Sequence, residues 1–139
     1  MPDCCSKTNT SGNCPQCGRS CKHVEMRTLY HQVSFPDNQT IAPDSYFYCA
    51  SKACPVAYFS ETGNIITKRK LRTYNDIMGD KLCYCFDIDA TQYQSALSGN
   101  TADAIRNFVM QKTKSGECAC NIRNPNGQCC LASFKSFEL

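Results

Sequence analysis

The chain contains no tryptophan and only two histidines among its 139 residues. It has no run of about 18 apolar residues, so no segment reads as a membrane-spanning helix. The opening Met1-Pro2-Asp3-Cys4-Cys5-Ser6-Lys7 lacks the apolar stretch of a secretory signal. Charge of one sign is also scarce: fifteen Lys and Arg stand against twelve Asp and Glu, a formal net charge of +3. That excess is too small and too scattered to favour nucleic acid. No nucleophile beside a base, no carboxylate pair and no phosphate-cradling loop stands out, which leaves hydrolase and transferase chemistry without support. These absences point to a cytoplasmic protein that neither inserts in a membrane nor binds nucleic acid.

Cysteine is what the chain has in excess, at 13 of 139 residues. In a short secreted protein such a content signals a disulfide scaffold. In the reducing cytoplasm, closely spaced cysteine pairs read instead as metal ligands or redox centres. Neither half of the chain is long enough to bury a comfortable core, so each half calls for a staple.

Residues 1–13 are small, polar and aperiodic, and read as a mobile tail carrying Cys4 and Cys5. Cys14-Pro15-Gln16-Cys17-Gly18 is a CxxC knuckle closed by glycine. The stretch from Val24 to Val33 partly alternates and predicts a strand. Ser45-Tyr46-Phe47-Tyr48 predicts an aromatic strand that delivers Cys49 at its end. Val56 to Phe59, the turn Glu61-Thr62-Gly63-Asn64 and Ile65 to Thr67 have the pattern of a hairpin. The basic segment Lys68-Arg69-Lys70-Leu71-Arg72 reads as a solvated linker and marks the boundary between the halves. Beyond it, Asp87 or Asp89 is placed to cap a helix over Ala90 to Leu97. A further helix begins at Thr101, with Ile105, Phe108 and Val109 as its apolar stripe. The fold class expected is α+β: a zinc-stapled β-hairpin or ribbon over residues 14–73, then a short helical half over 74–139 with irregular cysteine loops.

Zinc takes four ligands in a tetrahedron, and two short loops that each offer two thiolates at strand ends meet that demand. Cys14, Cys17, Cys49 and Cys54 have that arrangement, with Cys21, His23 and His31 as lesser competitors. A closed four-ligand zinc site leaves no position for substrate, so its role is in folding. In the second half, Cys83 and Cys85 are spaced to hold one iron of a 2Fe-2S cluster, and the loop from Cys118 to Cys130 offers four thiols for the other. Spacing alone equally admits a second zinc, a Cu(I) thiolate site or a redox dithiol.

Tyr48-Cys49 to Cys54, Val56-Ala57-Tyr58-Phe59, Leu82-Cys83-Tyr84-Cys85, and Cys120 through Asn124-Pro125-Asn126-Gly127 to Cys129-Cys130 form a recognisable series. It resembles the N-terminal zinc and 2Fe-2S domain of the archaeal-type copper chaperone CopZ family across roughly residues 14–130. The second half also resembles bacterioferritin-associated ferredoxin in its CxC followed by short helices. The CopZ resemblance implies a zinc site in the first half and a 2Fe-2S cluster held by Cys83, Cys85, Cys120 and Cys130 in the second, with Cys129 the rival to Cys130. It implies an electron-transfer accessory in the handling of copper or another soft metal. Its partner would be a copper transporter or chaperone, or a redox protein. Any enzymatic activity would be at most that of a metal-ion reductase. A non-redox metal-binding or sensing module, or a ferredoxin-like partner of an iron store, is the alternative. The tail pair Cys4 and Cys5 is a candidate two-thiolate site for Cu(I).

Overall fold

The computed structural model describes residues 11–138; Cys4 and Cys5 lie outside the described residues. Its architecture is mixed α+β. Five antiparallel strands in sequence order form the first half: β1 (Ser11–Asn13), β2 (Ser20–Val24), β3 (Tyr46–Tyr48), β4 (Val56–Ser60) and β5 (Ile65–Thr67). A two-stranded ribbon, β6 (Lys81–Cys83) with β7 (Ile88–Asp89), opens the second half. Six helices are described: α1 (Met26–Gln32), α2 (Tyr74–Met78), α3 (Ala90–Ser98), α4 (Ala102–Lys114), α5 (Cys120–Arg123) and α6 (Leu131–Glu138). None of them is long and apolar enough to cross a membrane.

The aromatic strand, the β4–β5 hairpin and the helices α3 and α4 lie where the sequence places them. Asp89 caps α3 by accepting from the Gln92 backbone N–H, while the Gln92 side chain accepts from the Asp89 N–H, a full capping box. Four expectations need correction. The tail does not extend to Asn13, because Ser11–Asn13 pairs with β2 as β1. The strand predicted over Val24 to Val33 ends at Val24, and Met26–Gln32 is helical. Its buried positions, Thr28, Leu29 and Gln32, follow the helical period; the apparent alternation came from Thr28, Tyr30 and Val33 being strand formers. Phe108 is 46% exposed, so only Val109 of the α4 stripe is fully buried. The basic segment is no solvated linker at its start, since Lys68 is 2% exposed.

Both faces of the five-stranded sheet are covered. One packs Tyr46, Tyr48, Ala57 and Tyr58 against Leu29 of α1 and Val33 just past its end, with Leu71 and Ile77. The other packs Phe47, Val56 and Phe59 around Cys14, Cys21, Cys49 and Cys54. A bulge between Val56 and Tyr58 breaks the alternation of β4, which is why Val56 and Phe59 share one face and Ala57 and Tyr58 the other. Cross-strand aromatic pairs lock the register: Phe47 and Phe59 stack at 5.4 Å, and Tyr48 meets Tyr58 at 5.4 Å. The second half has its own core, in which Tyr93, Ala96, Ala102, Val109 and Phe134 surround Cys83, Cys120 and Cys130.

Candidate metal centres

The knuckle between β1 and β2 brings Cys14 and Cys17 to one end of the sheet, and the β3–β4 connection brings Cys49 and Cys54 to the same end. Within the knuckle the Cys14 N–H donates to Arg19 O (2.9 Å) and the Gly18 N–H to Cys14 O (2.8 Å). Gly18 has φ +79°, the left-handed conformation that closes such a turn cheaply only with glycine. The four sulfurs all lie within 4.8 Å of one another. Cys14 and Cys54 are 3.8 Å apart, and Cys17 and Cys49 are 3.6 Å apart. A tetrahedral zinc with bonds of about 2.3 Å sets its sulfurs about 3.8 Å apart, so the ion fits with little movement. Cys17 is exposed and the other three are buried.

Burial opposes the Cys14 thiolate, but the N–H groups of Cys17 and Gln16 outweigh it and bring the thiol down to about 7. Burial pushes the Cys49 and Cys54 thiols up. Beneath the pair, Lys68 donates to Cys49 O (2.9 Å), Cys54 O (2.9 Å) and Val56 O (2.5 Å). These are three charge-assisted bonds from one buried ammonium, and they fix the loop that carries two thiols. The charge also partly offsets a four-thiolate group. Sequence reasoning missed Lys68, and composition offers no signal for it. Of the lesser competitors, His23 stands edge-on to Phe47 at 5.9 Å and His31 is exposed. Cys21 is buried beside the group, with its thiol donating to Arg19 O (3.2 Å).

The second group gathers from four places. Cys83 ends β6, Cys85 lies in the β6–β7 turn, Cys120 opens α5 and Cys130 immediately precedes α6. The sulfurs form a row: Cys83 to Cys130 3.2 Å, Cys130 to Cys120 3.1 Å, Cys120 to Cys85 3.4 Å. Cys85, Cys120 and Cys130 lie within 4.8 Å of one another, and Cys83 joins through Cys130. The group is therefore longer than the zinc-sized one. Cys83, Cys120 and Cys130 are buried, Cys85 is half-buried, and the Ala119 N–H donates to the Cys85 sulfur (3.1 Å). Cys129 is half-buried and Cys130 fully buried; the structure brings Cys130 into the row. Cys118 is half-buried next to Cys120.

The Cys130 thiol shares its proton with two neighbours. Its hydrogen bond brings the Cys120 thiol down to about 5 and lowers the Cys83 thiol, while Cys130 itself is pushed up. Burial pushes Cys85 up to about 12. The proton on Cys130 thus favours negative charge on Cys120 and Cys83.

Helix α1 and strand β4 hold α5 and the turn that follows it. Thr28 Oγ1 donates to Asn121 O (2.6 Å). Gln32 Nε2 donates to Ile122 O and Arg123 O (2.8 Å each), and Tyr58 Oη to Pro125 O (2.5 Å). Gly127 has φ +71°, and a Cβ there would sit 3.1 Å from Thr28 Oγ1.

The fold and the two thiol groups define a thiolate metal-binding protein. Residues 11–72 match zf_CopZ, a family described as a zinc binding domain, and the four-thiol group at Cys14, Cys17, Cys49 and Cys54 lies inside that match. The N-terminal part is accordingly CopZ-like, and zinc is the metal supported there. The fold is similar to that of the Archaeoglobus fulgidus CopZ N-terminal domain, solved by X-ray crystallography. The TM-score is 0.72, covering 92% of this chain and 98% of that one at 21% identity. At that identity the likeness speaks for the fold. No curated protein matches the chain.

Proposed function

We propose that the chain is a two-centre redox protein with one structural zinc and one 2Fe-2S cluster, serving as an electron-transfer accessory in the handling of copper or another soft metal. Cys14, Cys17, Cys49 and Cys54 hold the zinc, and Cys83, Cys85, Cys120 and Cys130 hold the cluster. The observation that carries this reading is the difference in shape between the two thiol groups. The first is compact and matches a single tetrahedral ion; in the second, Cys83 joins only through Cys130, so the row is longer than one tetrahedral ion needs and offers two adjacent sulfur pairs, Cys83 with Cys130 and Cys120 with Cys85, one for each iron. When bound, the cluster supplies a one-electron couple.

The residues around the row suit such a couple. Cys83, Cys120 and Cys130 keep three sulfurs away from water, which limits hydrolytic loss. The Ala119 amide, aimed at the Cys85 sulfur, stabilises added negative charge and so favours the reduced state. Because Cys85 is the half-buried member, the β6–β7 turn is the edge at which a partner comes nearest. The partner expected is a copper transporter or chaperone, or a redox protein.

Metal and sulfide analysis of anaerobically purified protein, with visible and electron paramagnetic resonance spectra before and after dithionite, tests the reading. About one zinc, two irons and two sulfides per chain, with a paramagnetic signal only after reduction, is the expected outcome. Two zinc ions and no sulfide, after attempted reconstitution as well, would overturn it.

A further inference from the structure

Five thiols, not four, are buried or gathered at the zinc end of the sheet. Cys21 in β2 is 3% exposed and packs with Cys14, Cys49 and Cys54 in one cluster. Its thiol donates to Arg19 O (3.2 Å) and also interacts with the Cys49 sulfur. Cys17, by contrast, is the exposed member of the four-thiol set. Cys17 lies in the β1–β2 turn and Cys21 four positions on, in β2, so an exchange between them leaves Cys49, Cys54 and the Lys68 anchor in place.

We propose that Cys21 is a reserve zinc ligand that takes the place of Cys17 when that exposed sulfur is consumed by an electrophile. The inference rests on the zinc reading above. In the exchange, the Cys17 sulfur bonds to the electrophile's carbon as the halide leaves, and its bond to zinc breaks. The Cys21 thiol gives its proton to solvent and its sulfur bonds to zinc, so the ion keeps four thiolates. Arg19 O loses the Cys21 proton but keeps the Cys14 N–H at 2.9 Å, so no buried acceptor is stranded. The arrangement protects the fold where a chain of this size is most exposed, at the only ligand of the four that faces water.

The test uses the full chain with cobalt in place of zinc at this site, because the sulfur-to-cobalt charge-transfer absorption scales with the number of bound thiolates. Cys17→Ser and Cys21→Ser are each expected to bind one ion with the parental intensity. The double variant Cys17→Ser/Cys21→Ser should lose about one quarter of that intensity, three thiolates in place of four, or fail to hold the ion. In the unmutated zinc protein, native mass spectrometry after iodoacetamide should find a singly alkylated species, mapped to Cys17, still carrying its zinc. Loss of intensity or of folding in Cys17→Ser alone, or loss of zinc on that single alkylation, would overturn the proposal. An unmutated chain that binds neither zinc nor cobalt at these cysteines would instead overturn the zinc reading itself.

Discussion

Replacing Gln32 by methionine tests whether the zinc half governs the second centre. The substitution keeps side-chain length and volume but removes three hydrogen bonds: two donated to Ile122 O and Arg123 O, and one accepted from Thr73 Oγ1 at 2.6 Å. Gln32 is 2% exposed, so the site cannot simply admit water at the side chain. A net hydrogen bond contributes about 1 kcal/mol, and a buried partner left alone costs about 1–3 kcal/mol. Ile122 is half-buried and Arg123 exposed, so part of that loss is recovered by hydration, leaving about 2 kcal/mol. If opening of the α5 loop is the step that admits a chelator, the opening equilibrium rises about thirtyfold. The assay is the rate of bleaching of the cluster's visible absorption in the presence of a ferrous chelator, with zinc content measured in parallel. Tyr58→Phe, which removes the bond to Pro125 O without leaving a cavity, should act in the same direction. Bleaching rates within about twofold of the parent for both variants, with zinc retained, would refute the reasoning.

Lys68→Met should weaken zinc binding by about tenfold or more, since even one lost charge-assisted hydrogen bond is about 1.5 kcal/mol; competition against a chromophoric chelator measures it. Gly127→Ala should lower stability by about 1–2 kcal/mol, from the left-handed backbone that alanine tolerates poorly and from the push on Thr28; the urea midpoint reports it. Glu138 is held below its ordinary pKa of 4.5, first by the Tyr93 hydroxyl and then by Arg106. A carboxylate lowered on folding stabilises the protein above its unfolded pKa, and that contribution disappears as pH falls through the lowered value. Glu138→Gln should therefore lower the denaturation midpoint at pH 7 and converge on the parent as pH falls below 4.5, so that the acid-side fall is flatter in the variant.

The sequence reveals features in which a local rule operates. Two cysteine pairs at strand ends mark the zinc set, a choice of Asp87 or Asp89 as cap marks α3, and Gly63 between apolar runs marks the hairpin. Helix α1 is hidden because two of its three buried residues, Thr28 and Gln32, are polar. Thr28 and Gln32 serve the backbone of α5, more than ninety positions away for Thr28–Asn121 by sequence separation of 93, and no periodicity records such a contact. Lys68 was hidden for the same reason, because its three acceptors become neighbours only once the β3–β4 loop is folded. The choice of Cys130 over Cys129 came from resemblance, not spacing, since vicinal thiols look alike until α6 turns one of them inward.

The bulge in β4 has a bearing on how this protein can vary. Because one extra residue turns Val56 and Phe59 toward the sulfurs and Ala57 and Tyr58 toward α1, a single five-residue strand supplies two interiors. Deleting Ala57 would restore regular alternation at the cost of a residue buried in the α1-facing core, and would pull the Cys54 loop one position along the sheet. Conservative replacements along Val56–Ser60 should therefore be tolerated far better than any change in its length. Lineage drift in this region is expected to run through side-chain identity, with insertions and deletions confined to the Glu61–Asn64 turn.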